Sequence, residues 1–352
     1  MWKGGFSAFF PIFSLLLSGK TEDDLVTAAL AQTRANQAGS SSLYSEITGK
    51  QPVFFSFRKE ARNVTKNRKH AELVRAFVSV FRCPVCNSAM NVVDWKSLLC
   101  ANNHTFDFAK QGYLNMMTRP TNSPYKKELF AARHRTIVES SFFTPMHEWI
   151  AKAIQERMDV SSHPFLVLDA GCGEGSHLQK IMEEWKSPTV TGVGVDLSKE
   201  GILMAAKRYA NSIWIVGDLA RPPFQGQSFH VILNILSPSH YREFKRLLIH
   251  DGLVVKVVPR PHYLIELREA LFANSRKKVY ENAKTVSLFK EHVQLLEAFA
   301  LRYTKKLGRS ELHDLVQMTP LAWFTDNERI EKFINQESAE ITVDVDILVG
   351  IQ

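Results

Sequence analysis

Cysteine is scarce in this chain, four in 352 residues, and that excludes the disulfide frameworks that staple small secreted domains. Sustained apolar runs are missing as well. The N-terminal stretch Phe6–Leu17 is broken by Pro11 and Ser14 and falls short of the roughly 20 residues a membrane-spanning helix needs. No internal repeat is apparent, so a solenoid or propeller is excluded. Acidic residues are outnumbered, 36 Asp and Glu against 44 Lys and Arg, for a formal net charge of +8. A positive balance favours a polyanionic partner, nucleic acid before an anionic membrane. What is present, 45% hydrophobic residues over this length, suffices for a sizeable core and two domains.

Three of the four cysteines stand together. Cys83-Pro-Val-Cys86 is followed after thirteen residues by Cys100-Ala-Asn-Asn-His104. Three thiolates and one imidazole at this spacing suit one tetrahedral zinc ion with no open position, so the predicted metal is structural. Cys172 is left alone, and a reducing compartment fits zinc thiolates best. Met1–Leu17 has a signal peptide's outline, one lysine before a short apolar run and then Ser18-Gly19. The rest of the chain reads as cytosolic. Residues 1–70 are therefore expected to be a poorly ordered N-terminal extension, and the protein to be cytoplasmic.

A helix is expected over His70–Phe81, leading into the metal-binding domain at 71–120, whose two short strands fall near Met90–Trp95 and Ser97–Cys100. Basic residues gather before it, among them Arg58, Arg68 and Arg75; they are a solvated face or an RNA-facing one. Phe106, Phe108, Tyr113 and Leu114 pack this small domain or stack on bases. Residues 121–160 read as a helical linker, broken near Thr144-Pro145, and 161–352 as a second domain. There, short apolar runs at Phe165–Leu168, Val190–Val195, Ile213–Val216, His230–Leu236 and Leu253–Val258 alternate with amphipathic stretches. That alternation predicts an α/β fold with a parallel sheet covered on both faces, completed by Ile341–Val349.

The first of these strands ends in Leu168-Asp-Ala-Gly-Cys-Gly-Glu-Gly175. Gly171, Gly173 and Gly175 permit a tight turn and close approach to a ligand, where doubly wound sheets bind nucleotides. Ser176, followed by His177, stands where a dinucleotide fingerprint has its third glycine. Asp169 would repel a pyrophosphate but suits the cationic amino-acid end of S-adenosylmethionine. Asp196, with Leu197 beside it, closes the second strand and can accept ribose hydroxyls. Gly217-Asp218-Leu219 closes the third, where the aspartate can meet the adenine amino group. Asn234, with Ser237 and Pro238, closes the fourth and would face the transferable methyl. Capping of helices and turns is the alternative use of such residues. Four polar elements at four successive strand ends point instead to one shared crevice.

Together these features resemble a class I (Rossmann-like) methyltransferase over Phe165 to about Pro259. With the zinc ribbon, Lys110-Gln-Gly112-Tyr113, Ala220-Arg-Pro-Pro-Phe224, Leu236-Ser-Pro238, Pro261-His-Tyr-Leu-Ile-Glu-Leu267 and Gln317-Met-Thr-Pro-Leu-Ala-Trp323, the chain resembles the 23S rRNA guanine-N1 methyltransferases of the RlmA type, which include the tylosin-resistance enzymes. The likeness runs from about residue 75 to the C-terminus. It implies S-adenosylmethionine-dependent methylation of N1 of a guanosine in hairpin 35 of 23S ribosomal RNA, with a bearing on macrolide sensitivity. The ribbon would grip the RNA, with Lys110, Arg119, Lys126, Lys127 and Arg133 as phosphate contacts. Asp107, Asp218 and Glu266 are candidate proton acceptors by motif, and Asn234, Ser237 and Pro238 would line the acceptor side. Two other readings remain: a small-molecule methyltransferase resembling quinone and sterol enzymes, and a non-catalytic ribosome- or RNA-binding protein. No membrane partner is expected, and a homodimer is left open.

Overall fold

A computed structural model of the chain describes residues 66–120, 125–160, 164–185, 189–272, 281–322 and 326–352. The expected extension through residue 65, Arg58 within it, Trp323 and the basic residues Arg276, Lys277 and Lys278 lie outside the described residues.

The ribbon opens with helix α1 (Lys66–Ala76) and a single turn at Val78–Val80, and continues as strands β1 (Met90–Val93), β2 (Ser97–Cys100) and β3 (Thr105–Asp107). These three form an antiparallel sheet in the order β1-β2-β3. Asp94 and Trp95 turn the first hairpin with φ of 51° and 57°, the left-handed pair that a tight two-residue turn requires. Phe108 and Leu114 are buried, and Phe106 half-buried, in the core that contains the ribbon's Leu98, whereas Tyr113 is buried in a different core with Ile137 and Phe142.

The next strand, β4 (Leu114–Asn115), bridges back to the ribbon through Phe108 and Leu114 and also reaches beyond it. It pairs in parallel with β7 (Ile213–Val216), matching Leu114 to Ile215 and Asn115 to Val216, and Met116 N donates to Val216 O at 2.9 Å. The ribbon's tail is thus the outer strand of the large sheet. That sheet also contains β5 (Phe165–Ala170), β6 (Val190–Asp196), β8 (Phe229–Ile235), β9 (Leu248–Pro259), β10 (Gln294–Gly308) and β11 (Ser338–Ile351), in the order β10-β11-β9-β8-β5-β6-β7-β4. From β4 to β9 all pairs are parallel, and β11 and β10 add two antiparallel strands. Strand order reverses at β5, which lies between β6 and β8 and makes a topological switch point there.

All six residues of β5 are buried, as a strand covered on both faces must be. Phe165 and Val167 join the core beneath α3 (Thr144–Gln155), α4 (Ser176–Trp185) and α5 (Lys199–Arg208). Leu166 and Leu168 join the opposite core, with α6 (Tyr241–Leu247) and the ribbon's Ala71, Val74 and Phe81. The remaining helices are α2 (Lys127–His134), α7 (Ile265–Phe272), α8 (Ala283–His292), α9 (Arg309–Met318) and α10 (Asn327–Ile334).

Residues 121–160 do not behave as a linker where they are described. Met146, Ile150 and Ile154 repeat every four residues along α3 and are fully buried in the core with Ile137, Phe142 and Phe143. Arg135 clamps Asp314 of α9 through Nε and Nη2 at 2.7 and 2.5 Å. The break near Pro145 is real: helical structure ceases after Glu139 and resumes at Thr144, with the proline in the first turn. β10 carries no expectation from the sequence. It is an edge strand of alternating exposed and half-buried residues, so its polarity masks it.

Candidate functional site

Two backbone loops of the same design hold the metal ligands. In the first, Cys83 N donates to Ser88 O at 2.9 Å and Asn87 N to Cys83 O at 2.8 Å; in the second, Cys100 N donates to His104 O at 3.1 Å and Asn103 N to Cys100 O at 3.0 Å. Asn87 and Asn103 adopt φ of 63° and 61°, a left-handed conformation asparagine tolerates. The four ligand atoms of Cys83, Cys86, Cys100 and His104 all lie within 4.8 Å of one another. His104 Nδ1 is 3.5 Å from Cys83 Sγ and 3.4 Å from Cys100 Sγ, and the Cys86 and Cys100 sulfurs are 3.6 Å apart. Zinc bonds of about 2.3 Å to sulfur and about 2.0 Å to nitrogen give a tetrahedron with edges of about 3.5–3.8 Å. The donor set fits zinc. Ser88, its hydroxyl beside the Cys86 sulfur, draws that thiol down to about 5, which favours the ligating thiolate at neutral pH. Four protein ligands leave no position for a reacting water, so the zinc is structural.

The second site is a cavity of about 1100 Å³ at the carboxyl ends of β5, β6, β8 and β9. Such volume exceeds the roughly 300–1,000 Å³ of a single-ligand pocket and leaves room for a second reactant. Gly171 and Gly173 form one wall, with φ of 86° and 59°. A Cβ on Gly171 would lie 1.9 Å from Ser237 Oγ, and one on Gly173 2.4 Å from Arg133 Nη1. Asp196 is anchored by Gly173 N at 2.9 Å and Ser198 N at 2.7 Å. Asp218 receives Ala220 N at 2.8 Å. Leu197, Leu219 and His177 complete this half, and Ser237 and Pro238 line the other. Leu236, just before them, is held at φ 52° with its N–H on Val257 O, a strained turn of the kind found where a loop must present atoms to a ligand.

Five residues expected at the site stand behind its wall. Asp169 is 2% exposed and its Oδ2 has no hydrogen bond; burial pushes its carboxyl up to about 7, against the pull of Arg133. Gly175 has φ of 81°, and a Cβ there would lie 2.4 Å from the Trp214 ring, so its need for glycine is backbone conformation and packing. Ser176 Oγ meets His134 Nδ1 at 3.1 Å and Tyr209 Oη at 3.0 Å. Gly217 abuts Val195 and Pro223. Asn234 is fully buried. Its amide donates to Ala170 O at 3.0 Å and Pro238 O at 2.9 Å, while its Oδ1 accepts from Ser239 Oγ at 3.0 Å and Lys256 Nζ at 2.5 Å. All of its polar capacity shapes the loop, so the expected place of Asn234 on the acceptor side is corrected to a support beneath Ser237 and Pro238.

Arg133 also moves. It lines the cavity, its side chain 19% exposed, with Nε 3.4 Å from the buried Glu174 carboxylate. It therefore turns inward, whereas Lys110, Arg119, Lys126 and Lys127 are exposed. Two residues went unread: Arg133 in this role, and Lys256. The signal for the second was available in Val254-Val-Lys-Val-Val258, one lysine in the middle of an otherwise apolar run.

The sheet with its reversal at β5, the glycine loop and the acidic residues at successive strand ends define a class I methyltransferase, and its cofactor is S-adenosylmethionine. The residues present fit that molecule: a glycine wall no side chain could share, and two anchored carboxylates and a guanidinium that would hold its polar groups. A profile described as "RlmA, N-terminal", a zinc ribbon, matches residues 81–122, and one described as "Methyltransferase domain" matches residues 167–252. A Bacillus subtilis (strain 168) protein, YxjB, named as a candidate 23S rRNA (guanine-N1)-methyltransferase, is 45% identical over 282 residues, covering 78% of this chain and 98% of its own. The 23S rRNA (guanine(748)-N1)-methyltransferase of Streptomyces fradiae is 28% identical over 275 residues, covering 77% of this chain and 96% of its own. This chain belongs to the RlmA-type 23S rRNA guanine-N1 methyltransferase family.

Proposed function

We propose that this chain transfers a methyl group from S-adenosylmethionine to N1 of a guanosine in the hairpin 35 region of 23S ribosomal RNA, in the cytoplasm. The observation that carries the reading is the junction of ribbon and sheet. A zinc-bound, base-free surface alone would only bind, and a methyltransferase cavity alone would suit many acceptors. Here the ribbon's tail is the sheet strand next to β7, whose end presents Asp218 to the cavity. The relative from Streptomyces fradiae, which by name acts on guanosine 748, supports the same substrate class. Among the described residues no helix is long and apolar enough to cross a membrane.

The roles divide along the cavity. Asp196 accepts from the ribose hydroxyls of the cofactor, Asp218 meets the adenine end between Leu197 and Leu219, and Arg133 receives the methionine carboxylate. When bound, S-adenosylmethionine supplies an electrophilic methyl on a sulfonium. The protein supplies alignment and exclusion of water, which such a transfer needs more than strong catalytic groups. The target base must be unpaired and withdrawn from its stack, because N1 lies on the pairing edge. Phe130, Tyr125 and Tyr263 line the cavity and offer aromatic faces for it. Exposed Lys110, Arg119, Lys126 and Lys127 contact phosphates.

The decisive experiment is mass mapping of 23S rRNA from a strain lacking the gene. A 1-methylguanosine present in the parent should be missing, and the purified protein with S-adenosylmethionine should restore it. An unchanged modification map would overturn the reading. Binding of S-adenosylmethionine by calorimetry separates an enzyme from a non-catalytic RNA-binding protein.

A further inference from the structure

Methylation at guanine N1 leaves a proton to be removed, and the residues that motif suggests are committed elsewhere. Asp107 sits on the ribbon and accepts from Ser97 Oγ at 2.5 Å. Glu266 accepts both the N–H and the hydroxyl of Thr342, at 2.9 and 2.5 Å. Neither lines the cavity. Asp218 does, but it accepts from Ala220 N at 2.8 Å and follows β7, which β6 and β5 separate from β8.

Lys256 is placed differently. It lies toward the carboxyl end of β9, 2% exposed, and lines the cavity beside the loop that follows β8. Its Nζ donates to Asn234 Oδ1 at 2.5 Å and to Ser237 O at 3.2 Å. No carboxylate among the described residues pairs with it. An ammonium has three hydrogens to place, but a neutral amine has two hydrogens and a lone pair. Two acceptors here satisfy a neutral amine completely and leave its lone pair as the third direction. An ammonium in the same position keeps one buried hydrogen unmatched, a cost that favours the neutral form.

We propose that Lys256 is the proton acceptor of the methyl transfer. The neutral ε-amine takes the hydrogen of guanine N1. The freed nitrogen pair forms the bond to the methyl carbon as the sulfur–methyl bond breaks and its electrons return to sulfur. The products are 1-methylguanosine, neutral S-adenosylhomocysteine and a lysine ammonium that carries the cofactor's former positive charge. Asn234 acts here as a positioning residue, since its Oδ1 orients the amine.

The surroundings agree with this assignment. Burial alone lowers the Lys256 ammonium to about 8, within reach of neutral pH. Its neighbours in the sheet, Asn234 on β8 and Leu348 on β11, carry no charge. Of the titratable groups on the cavity wall, Asp196, Asp218, His177 and Arg133 belong to the glycine-loop half. His240, Tyr241, Tyr263 and Arg268 belong to the other half, and Tyr125 also lines the wall. Neither set makes an ion pair with Lys256 or shifts it.

The inference rests on the proposed reaction, so the test separates the two. Single-turnover methylation of unmodified 23S rRNA is measured from pH 6 to 9.5. The wild-type rate should climb about tenfold per pH unit and level off near pH 8, where the amine is neutral. Lys256→Met should lose about 10²–10⁴-fold in rate while calorimetry shows S-adenosylmethionine still bound. In Lys256→Ala, added ethylamine should restore rate in proportion to its free-base concentration, which a merely structural lysine would not permit. Independently of activity, carbon-13 NMR of the lysine ε-carbons should show one resonance, absent in Lys256→Met, titrating near pH 8. A flat pH profile, a Lys256→Met enzyme of normal rate, or a lysine titrating only above pH 10 overturns the assignment. Wild-type protein that forms no 1-methylguanosine overturns the proposed function instead, and the NMR titration then still decides whether Lys256 can serve as a base.

Discussion

Arg133 and Glu174 meet at the glycine loop, guanidinium Nε 3.4 Å from a carboxylate whose side chain is wholly buried. One comes from α2, the other from the loop itself, so a helix the sequence suggested as a connector holds the cofactor wall in place. Removing the arginine leaves a buried carboxylate unpaired. Arg133→Met should cost about 3 kcal/mol of stability, read from urea unfolding, and weaken S-adenosylmethionine binding. Adding Glu174→Gln should return part of the stability but none of the affinity. If the double variant regains both, Arg133 does not touch the cofactor.

Two glycines of one motif should fail in different ways. Gly175→Ala drives a methyl into the Trp214 ring at φ 81° and should lower stability by about 2–4 kcal/mol through overpacking and left-handed strain. Gly171→Ala pushes into Ser237 Oγ at the cavity wall. It should weaken cofactor binding at least roughly tenfold, about 1.4 kcal/mol, with a smaller effect on unfolding. Calorimetry and thermal melts of the two variants check the contrast.

Acid should find a weak point in a histidine pair. His147 Nε2 and His177 Nδ1 are 2.8 Å apart in the core, and burial, with Lys180 and Arg133 nearby, holds His147 down to about 3. An unfolded histidine titrates near about 6.5. Between those values the unfolded chain binds the extra proton, so stability present above pH 6.5 is lost as pH falls toward 3. The urea midpoint should drop between pH 7 and 4.5, and His147→Leu should drop less over the same interval. Equal slopes in the two proteins would remove His147 as the cause.

Zinc removal tests the ribbon. Replacing Cys83 and Cys86 by serine should reduce the metal content from one zinc per chain to none and abolish rRNA methylation. Because β4 hydrogen-bonds to β7 beside Asp218, cofactor affinity should also fall, though by less than activity. Full methylation by the double variant would exclude the ribbon from RNA recognition.

Local chemistry made much of this architecture readable. Cysteine spacing announced the metal site, and strand-end residues such as Asp196 and Asp218 announced the cavity, because both signals lie within short stretches of chain. Other features depend on partners distant in sequence. Nothing near Gly175 tells that Trp214 demands it, and Asn234 reads as a site residue until Ala170, Ser239 and Lys256 are seen to consume its amide. β10 hid because an edge strand keeps polar residues that a central strand cannot. Arg133 looked like one more basic residue on a positive chain, for charge alone does not say which way a guanidinium turns. Lys256 could have been noticed: an ionisable group amid four valines has to be explained by either a partner or a task.

The short pairing of Leu114 and Asn115 with β7 has a mechanical corollary. A recognition module on a tether would sample orientations and bring its cargo to the chemistry by chance. On the proposed function, the ribbon is bolted to the same girder that carries Asp218, so the span from RNA grip to reaction centre is a built-in ruler. A guanosine one nucleotide out of place in the RNA would be held just as firmly, and would miss the methyl.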